Sequence, residues 1–224
     1  DNENAQHLLM PLFLNIERLW KPKLQFRVKP KFSAYLQTLP SISKMKTFPF
    51  FYTRVERNAL NGTRLRAQIE IFENLHFHLF FTKVAPMLHE LKIHLEQEVS
   101  KSYYRFKQFS LPVIDYREYL WGVLIQFSRA FGSVLNYQSN VHMLVPVFDM
   151  FNTPSEAHEE GNVYNSLFQL HDNSERYYQM VIRTFVRKGE QLLFHYNNNE
   201  NMSNVHWMLS YGFCVKNNEK NEES

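Results

Sequence analysis

The spacing of apolar residues changes part-way along the chain. Up to about residue 120 they recur at three- and four-residue steps, as on helix faces; beyond about residue 140 they form short runs, as in strands. "HLLMPLFLNIERLW" is apolar enough for a buried helix with Pro11 in its first turn. "KPKLQFRVKPKFSAYLQTLP" follows, with prolines at its breaks, and then "TFPFFYTRVERNALNGTRL". Asn61-Gly62-Thr63 reads as a turn leading into a helix cap. Leu65, Ile69, Phe72, Leu75, Leu79 and Phe80 then mark one face of a helix running toward Ser100, which Pro86 should kink or restart. Asp115 caps a further helix through "YREYLWGVLIQFSRAF". Strands are expected at "HMLVPVF", "NVYNSLFQLH" and "YYQMVIRTFV", the last two forming a hairpin around Asp172-Asn173-Ser174. "RKGE" turns into a third strand, "QLLFHY". "NNNENMSN" reads as a loop and "KNNEKNEES" as a frayed polar tail.

Composition narrows the function classes. The 224 residues, 44% hydrophobic, suffice for a real core in one large or two small domains. With 25 basic against 22 acidic residues, no strong field favours nucleic acid or a membrane surface. The 10 histidines are scattered, with His76 and His78 alternating on an aromatic segment; the single cysteine, Cys214, excludes a cysteine-based zinc site and an internal disulfide. A lone cysteine fits a reducing compartment. No charged-then-apolar leader opens the chain, and no apolar run approaches the ~20 residues of a membrane helix. A soluble, intracellular protein without a metal is therefore expected, and the opening "DNENAQHLLM" reads as the interior of a longer one. The common nucleotide, hydrolase and zinc motifs (GxGxxG, GxxxxGK[ST], GxSxG, HExxH) do not occur, so nothing points to a doubly wound nucleotide-binding fold.

Four stretches in fixed order remain: "WGVLIQFSRAF", "LVPVFDMFNT", "RTFVRKGEQLLFHY" and "SNVHWMLSYGF". Together they resemble the SET-domain methyltransferases of the Rubisco large-subunit methyltransferase-like branch. That branch has a helix ending S-R-A-F, a strand reading roughly L-V-P-x-x-D-x-x-N-H, a K-G-E turn and a helix ending Y-G-F. "FSAYLQTLP" and "LNGT" are similar to parts of the helical insertion this branch carries. The resemblance implies an α+β fold, a SET-domain β-rich core of short strands with a long helical insertion before it. It divides the chain into an insertion at residues 1–120, the C-terminal part of the SET core at 121–215, and a polar tail at 216–224.

The implied activity is S-adenosylmethionine-dependent lysine N-methylation of a protein. A sulfonium methyl group must meet a neutral amine in line, so the enzyme contributes positioning and oxygen acceptors in a low-dielectric channel. Tyrosine suits such work, because its ring walls the channel while its hydroxyl faces the cationic centre. Tyr196 and Tyr211, fifteen residues apart, match the family's catalytic tyrosine and the second tyrosine of its lysine channel. Arg129, Asn152 and Phe213 match cofactor-binding positions, Phe213 beside the adenine and Arg129 on the carboxylate. Ser128, Phe131 and Asp149 match the substrate channel, and an aromatic at 131 favours lysine as acceptor.

Three departures keep a second reading open. The family's Asn-His pair is here Asn152-Thr153, Tyr196 is followed by Asn197 in a lengthened loop, and no Gly-x-Gly turn occurs among the six glycines. By resemblance, the Gly-x-Gly strand either lies upstream, completing the cofactor site, or part of the pocket is lost. The alternative is a catalytically inactive SET-like module serving as a structural or binding subunit of a larger protein assembly.

Overall fold

The structure, a computed structural model, describes residues 2–24, 31–102, 109–135, 139–154, 166–172, 176–194, 196, 202–218 and 220–221. The expected turn at Asn173-Ser174, the asparagine run from Asn197 and the last three residues lie outside them.

Helix α1 (Asn2–Asn15) continues into a π-helical turn, Ile16–Trp20. Pro11 stands well inside α1 rather than in a first turn, because the helix starts upstream of the apolar run. Its carbonyl accepts from Asn15 Nδ2 at 3.0 Å, and the same amide donates to Glu118 O at 2.8 Å. Short helices α2 (Ser33–Thr38) and α3 (Arg54–Ala59) follow, separated by two 3₁₀ turns. Gly62, at φ +81°, makes the predicted turn, and Thr63 caps α4 (Arg64–Leu79) by accepting from Arg66 N at 3.2 Å.

The face of α4 is not quite the expected one. Ile69, His76 and then Phe80 are buried, whereas Leu75 is 56% exposed. His76 takes a core position by stacking on Phe72 at 4.2 Å and meeting the Tyr119 hydroxyl at 3.4 Å. A π-helical turn, Phe80–Val84, precedes α5 (Ala85–Ser102), whose second residue is Pro86; an early helical position is where a missing N–H costs least.

Helix α6 (Tyr116–Arg129) is capped by Asp115, which accepts from Glu118 N at 2.9 Å. It is buried without a break from Tyr119 to Gln126, as a helix enclosed on all sides must be. One face joins Leu12, Trp20, Phe80 and Val84; the other joins Leu36, Met45, Phe48 and Ile69. Gly122 allows α1 to come this close, since a Cβ there would stand 2.8 Å from Pro11 O. Trp121 ties in the second face, donating through Nε1 to Pro40 O at 2.8 Å.

The helix ends two residues earlier than its sequence implies. Ala130 and Phe131 already belong to β1 (Ala130–Leu135), which pairs antiparallel with β2 (Ser139–Leu144). Strand β2 therefore stops before Pro146, and a 3₁₀ turn, Phe148–Met150, follows where strand was expected. Strands β3 (Ser166–Asp172) and β4 (Arg176–Ile182) form the predicted antiparallel hairpin, with Asp172 opposite Arg176. Among its described residues, "QLLFHY" contributes one isolated parallel bridge, Asn152 to Leu193, rather than a third strand. Helix α7 (Asn204–Tyr211) packs on α6 and α4. Part of the stretch expected to fray is tied back, Asn218 Nδ2 donating to Met202 O at 2.8 Å and Asn221 Oδ1 accepting from Asn204 N at 3.0 Å. Helices beside two small hairpins make this an α+β architecture.

Candidate active site

The second core cluster opens onto a cleft of about 220 Å³, lined by Pro40, Met45, Phe48, Ser128, Arg129, Asp149, Met150, Asn152, Tyr196, Tyr211 and Phe213. Seven residues singled out in the sequence thus share one cleft. Phe131 is not on its lining. From β1 it stacks on Phe194 at 5.6 Å, and Phe194 in turn meets the Tyr196 ring at 5.2 Å.

Each wall has a local cause. Helix α6 brings Ser128 and Arg129 with its C-terminal end, where unpaired carbonyls and the negative end of the helix dipole favour a cation. Ser128 Oγ itself bonds back to Leu124 O at 2.7 Å. The turn after β2 carries Asp149, and it is preceded by Val147 at φ +76°, a conformation unusual for a β-branched residue. Asn152 stands beside the 193–196 segment, its carbonyl accepting from Phe194 N at 3.0 Å and its amide donating to Gln191 Oε1 at 3.0 Å.

Tyr196 and Tyr211 face each other with ring centroids 4.9 Å apart, and Trp207 and Phe213 extend this aromatic wall. The Tyr196 hydroxyl donates to Phe151 O at 2.9 Å and receives a backbone hydrogen bond from Thr153. Burial pushes the Tyr196 phenol up, opposed by Arg129; burial pushes Tyr211 up to about 12, with Tyr196 adding to it. Both are therefore neutral hydroxyls near neutral pH.

Arg129 Nη1 donates to Asp149 O at 2.9 Å and to Asp149 Oδ2 at 3.2 Å. Asp149 Oδ2 also accepts from Tyr35 at 2.9 Å. The Asp149 side chain is fully buried, and its Oδ1 has no hydrogen-bond partner among the described residues. Such an atom is costly unless a ligand satisfies it. Tyr35, Pro40, Met45 and Phe48 also belong to this site, and nothing in the sequence gives them a role: "FSAYLQTLP" carries the resemblance without assigning any of its side chains.

The end of α7 locks the other rim. Gly212 is left-handed at φ +77°, and a Cβ there would lie 2.8 Å from Thr47 Oγ1 and 3.0 Å from Phe48 Cδ2. Asn204 holds the following segment by a two-way pairing with Val215, accepting from its N at 2.8 Å and donating to its O at 3.1 Å. Gly212→Ala should lower stability by about 1–3 kcal/mol from left-handed strain and overpacking. Urea unfolding measures this, and an unchanged midpoint would contradict the close packing.

Among the described residues there is no cluster of three or more potential metal ligands, and no helix long and apolar enough to cross a membrane. No protein-family model matches the chain. Over 102 residues, 45% of the chain, it is 30% identical to the ribosomal lysine N-methyltransferase set10 of Schizosaccharomyces pombe, covering 17% of that protein. It superposes on the SET domain of LSMT bound to lysine and AdoHcy with a TM-score of 0.57, 22% identity, and coverage of 91% of this chain and 40% of that one. Rubisco LSMT bound to AdoMet gives a TM-score of 0.57 at 21% identity, covering 94% of this chain and 40% of that one. The chain thus spans less than half the length of each relative. Sequence similarity and architecture agree with the resemblance seen in the four motifs: this chain has a SET-domain fold, similar to that of Rubisco LSMT.

Proposed function

We propose that the chain is the lysine- and cofactor-handling part of an S-adenosylmethionine-dependent protein-lysine N-methyltransferase. Residues 1–120 act as the helical insertion, 121–215 as the C-terminal part of the SET core and 216–224 as a polar tail. The observation that carries the reading is the convergence of Arg129, Asp149, Asn152, Tyr196, Tyr211 and Phe213 on one cleft; Asp149 also has a buried carboxylate oxygen with no hydrogen-bond partner among the described residues.

The residues present suit a sulfonium and an amine. Aromatic faces, two neutral phenols, a helix C-terminus and Asp149 Oδ1 all favour positive charge. At about 220 Å³ the cleft is smaller than the roughly 300–1,000 Å³ of complete ligand pockets, so the described residues form part of the site. When bound, S-adenosylmethionine supplies an electrophilic methyl group. Phe213 would lie against the adenine, while Arg129 and Asn152 would hold the polar groups of the cofactor. Tyr196 and Tyr211 exclude water and orient the lysine amine through hydroxyl oxygens, in a channel that Ser128 and Asp149 complete and Phe131 backs through Phe194. A lysine arrives protonated near pKa ~10.4, so the channel must also favour loss of that proton.

An inactive SET-like subunit is the second reading, and Thr153 favours it. Beside Tyr196, Thr153 offers one short hydroxyl where the family pattern has an imidazole. One lost hydrogen bond of about 0.5–1.5 kcal/mol weakens binding by a few-fold to tenfold, which does not abolish it. Calorimetric titration of the full-length protein with S-adenosylmethionine separates the readings. Saturable binding, tightened by about the same factor in Thr153→His, is the outcome expected of the enzyme. No heat from either protein would leave the subunit reading standing.

A further inference from the structure

Tyr35 lies behind the cleft rather than on its lining, 114 positions from the carboxylate it touches. Its place is set by packing. Leu36 and Leu39, which follow it, are buried in the second core cluster, and Pro40 is held by the Trp121 indole. The helix carrying Tyr35 is therefore fixed to α6, the same helix that delivers Arg129.

The last torsion of an aspartate is broad, so one donor does not decide which oxygen points where. Asp149 has two donors on one oxygen: Tyr35 at 2.9 Å and Arg129 at 3.2 Å both address Oδ2. They come from separate elements, and Arg129 is pinned in turn by the Asp149 carbonyl. We propose that Tyr35 is a positioning residue that, with Arg129, locks the buried Asp149 carboxylate through Oδ2 and so fixes the part of the cleft wall that the cationic amine of the lysine substrate meets. This rests on reading the cleft as a lysine methyltransferase site. Burial, with Asp149 beside it, pushes the Tyr35 phenol far above its ordinary value, so Tyr35 is a permanent donor at any pH the protein meets.

In this chain the aspartates are Asp1, Asp115, Asp149 and Asp172, and a label at the aspartate carboxyl carbon reads the Asp149 carboxylate directly. The full-length protein, labelled with ¹³C at the aspartate carboxyl carbon, is compared with its Tyr35→Phe variant, with Asp149→Asn identifying the Asp149 signal. The Asp149 signal should move in Tyr35→Phe while those of Asp115 and Asp172 stay in place. Titrated with free L-lysine in the presence of S-adenosylhomocysteine, the variant should bind L-lysine about tenfold more weakly, the scale of a hydrogen bond to a charged group. Its affinity for S-adenosylhomocysteine should stay within about twofold, because Tyr35 acts through Asp149 alone. An unmoved Asp149 signal, unchanged L-lysine binding, or equal weakening of both ligands would each overturn the proposal. If the unaltered protein binds neither ligand, the methyltransferase reading and the role in lysine binding fail together, while the Asp149 signal still decides whether Tyr35 sets the carboxylate.

Discussion

Replacing Tyr196 with phenylalanine should slow methyl transfer by roughly 10²–10³-fold, while binding of S-adenosylmethionine changes by no more than about twofold. The substitution removes one oxygen and leaves the ring. The ring makes the stacking contacts with Phe194 and Tyr211, so the aromatic wall should survive. The oxygen, by contrast, is held by the Phe151 carbonyl at 2.9 Å, with the Thr153 backbone beside it, a pre-set arrangement of the kind that acts on charge as it forms. Its effect therefore belongs in kcat rather than in cofactor affinity. Both phenols stay protonated, Tyr211 up to about 12, so neither should produce a falling alkaline limb below about pH 10. Single-turnover rates with saturating cofactor are the relevant measurement. Wild-type rates in the variant would remove Tyr196 from the chemistry.

Gly122→Val should be the most damaging single change to stability away from the cleft, at about 3 kcal/mol, near the top of the range for overpacking. Even the first added carbon would stand 2.8 Å from Pro11 O and 2.9 Å from Pro11 Cα, both backbone atoms that cannot rotate away. The same carbon would press on Asn15 Nδ2 at 3.0 Å, the amide that bridges α1 to the Glu118 carbonyl. Separating the helices would thus leave buried polar groups unpaired as well. At about 2–4 °C per kcal/mol for a protein of this size, thermal denaturation should show a fall of about 10 °C. Gly132→Val is the matched control, since nothing lies within 4 Å of a Cβ there and its stability should barely change.

The helices were legible because caps and turns act locally. Asn61-Gly62-Thr63, Asp115 and the hairpin from Asp172 to Arg176 each declare themselves within a few residues. Boundaries set by tertiary contacts were not legible. Phe131 looks like the continuation of an apolar helix, but pairing with Met143 draws it into a strand. His76 alternates with His78 on an aromatic segment that does not show which way it faces; a partner 43 positions away is what it meets in the core. "QLLFHY" has strand composition without a strand's neighbours, and its described residues form one isolated bridge, at Leu193. The cleft was readable through its motifs, since Ser128, Arg129, Asp149, Asn152, Tyr196, Tyr211 and Phe213 all sit in them. Tyr35 was not, because nothing within helix α2 shows that its hydroxyl meets a carboxylate 114 positions on.

The cleft draws its lining from Pro40–Phe48, Ser128–Arg129, Asp149–Asn152 and Tyr196–Phe213, stretches spread over most of the chain. No short segment contains enough of it to form the site early, so its assembly requires several long loops to close. Contacts of that separation slow folding, whereas the helices and the two hairpins can form from near neighbours. Recovery after dilution from denaturant would then have two clocks, helical signal returning first and ligand binding last. Aromatic surface at Tyr196, Tyr211 and Phe213 would stay exposed in the interval, which is when such a chain is most open to aggregation.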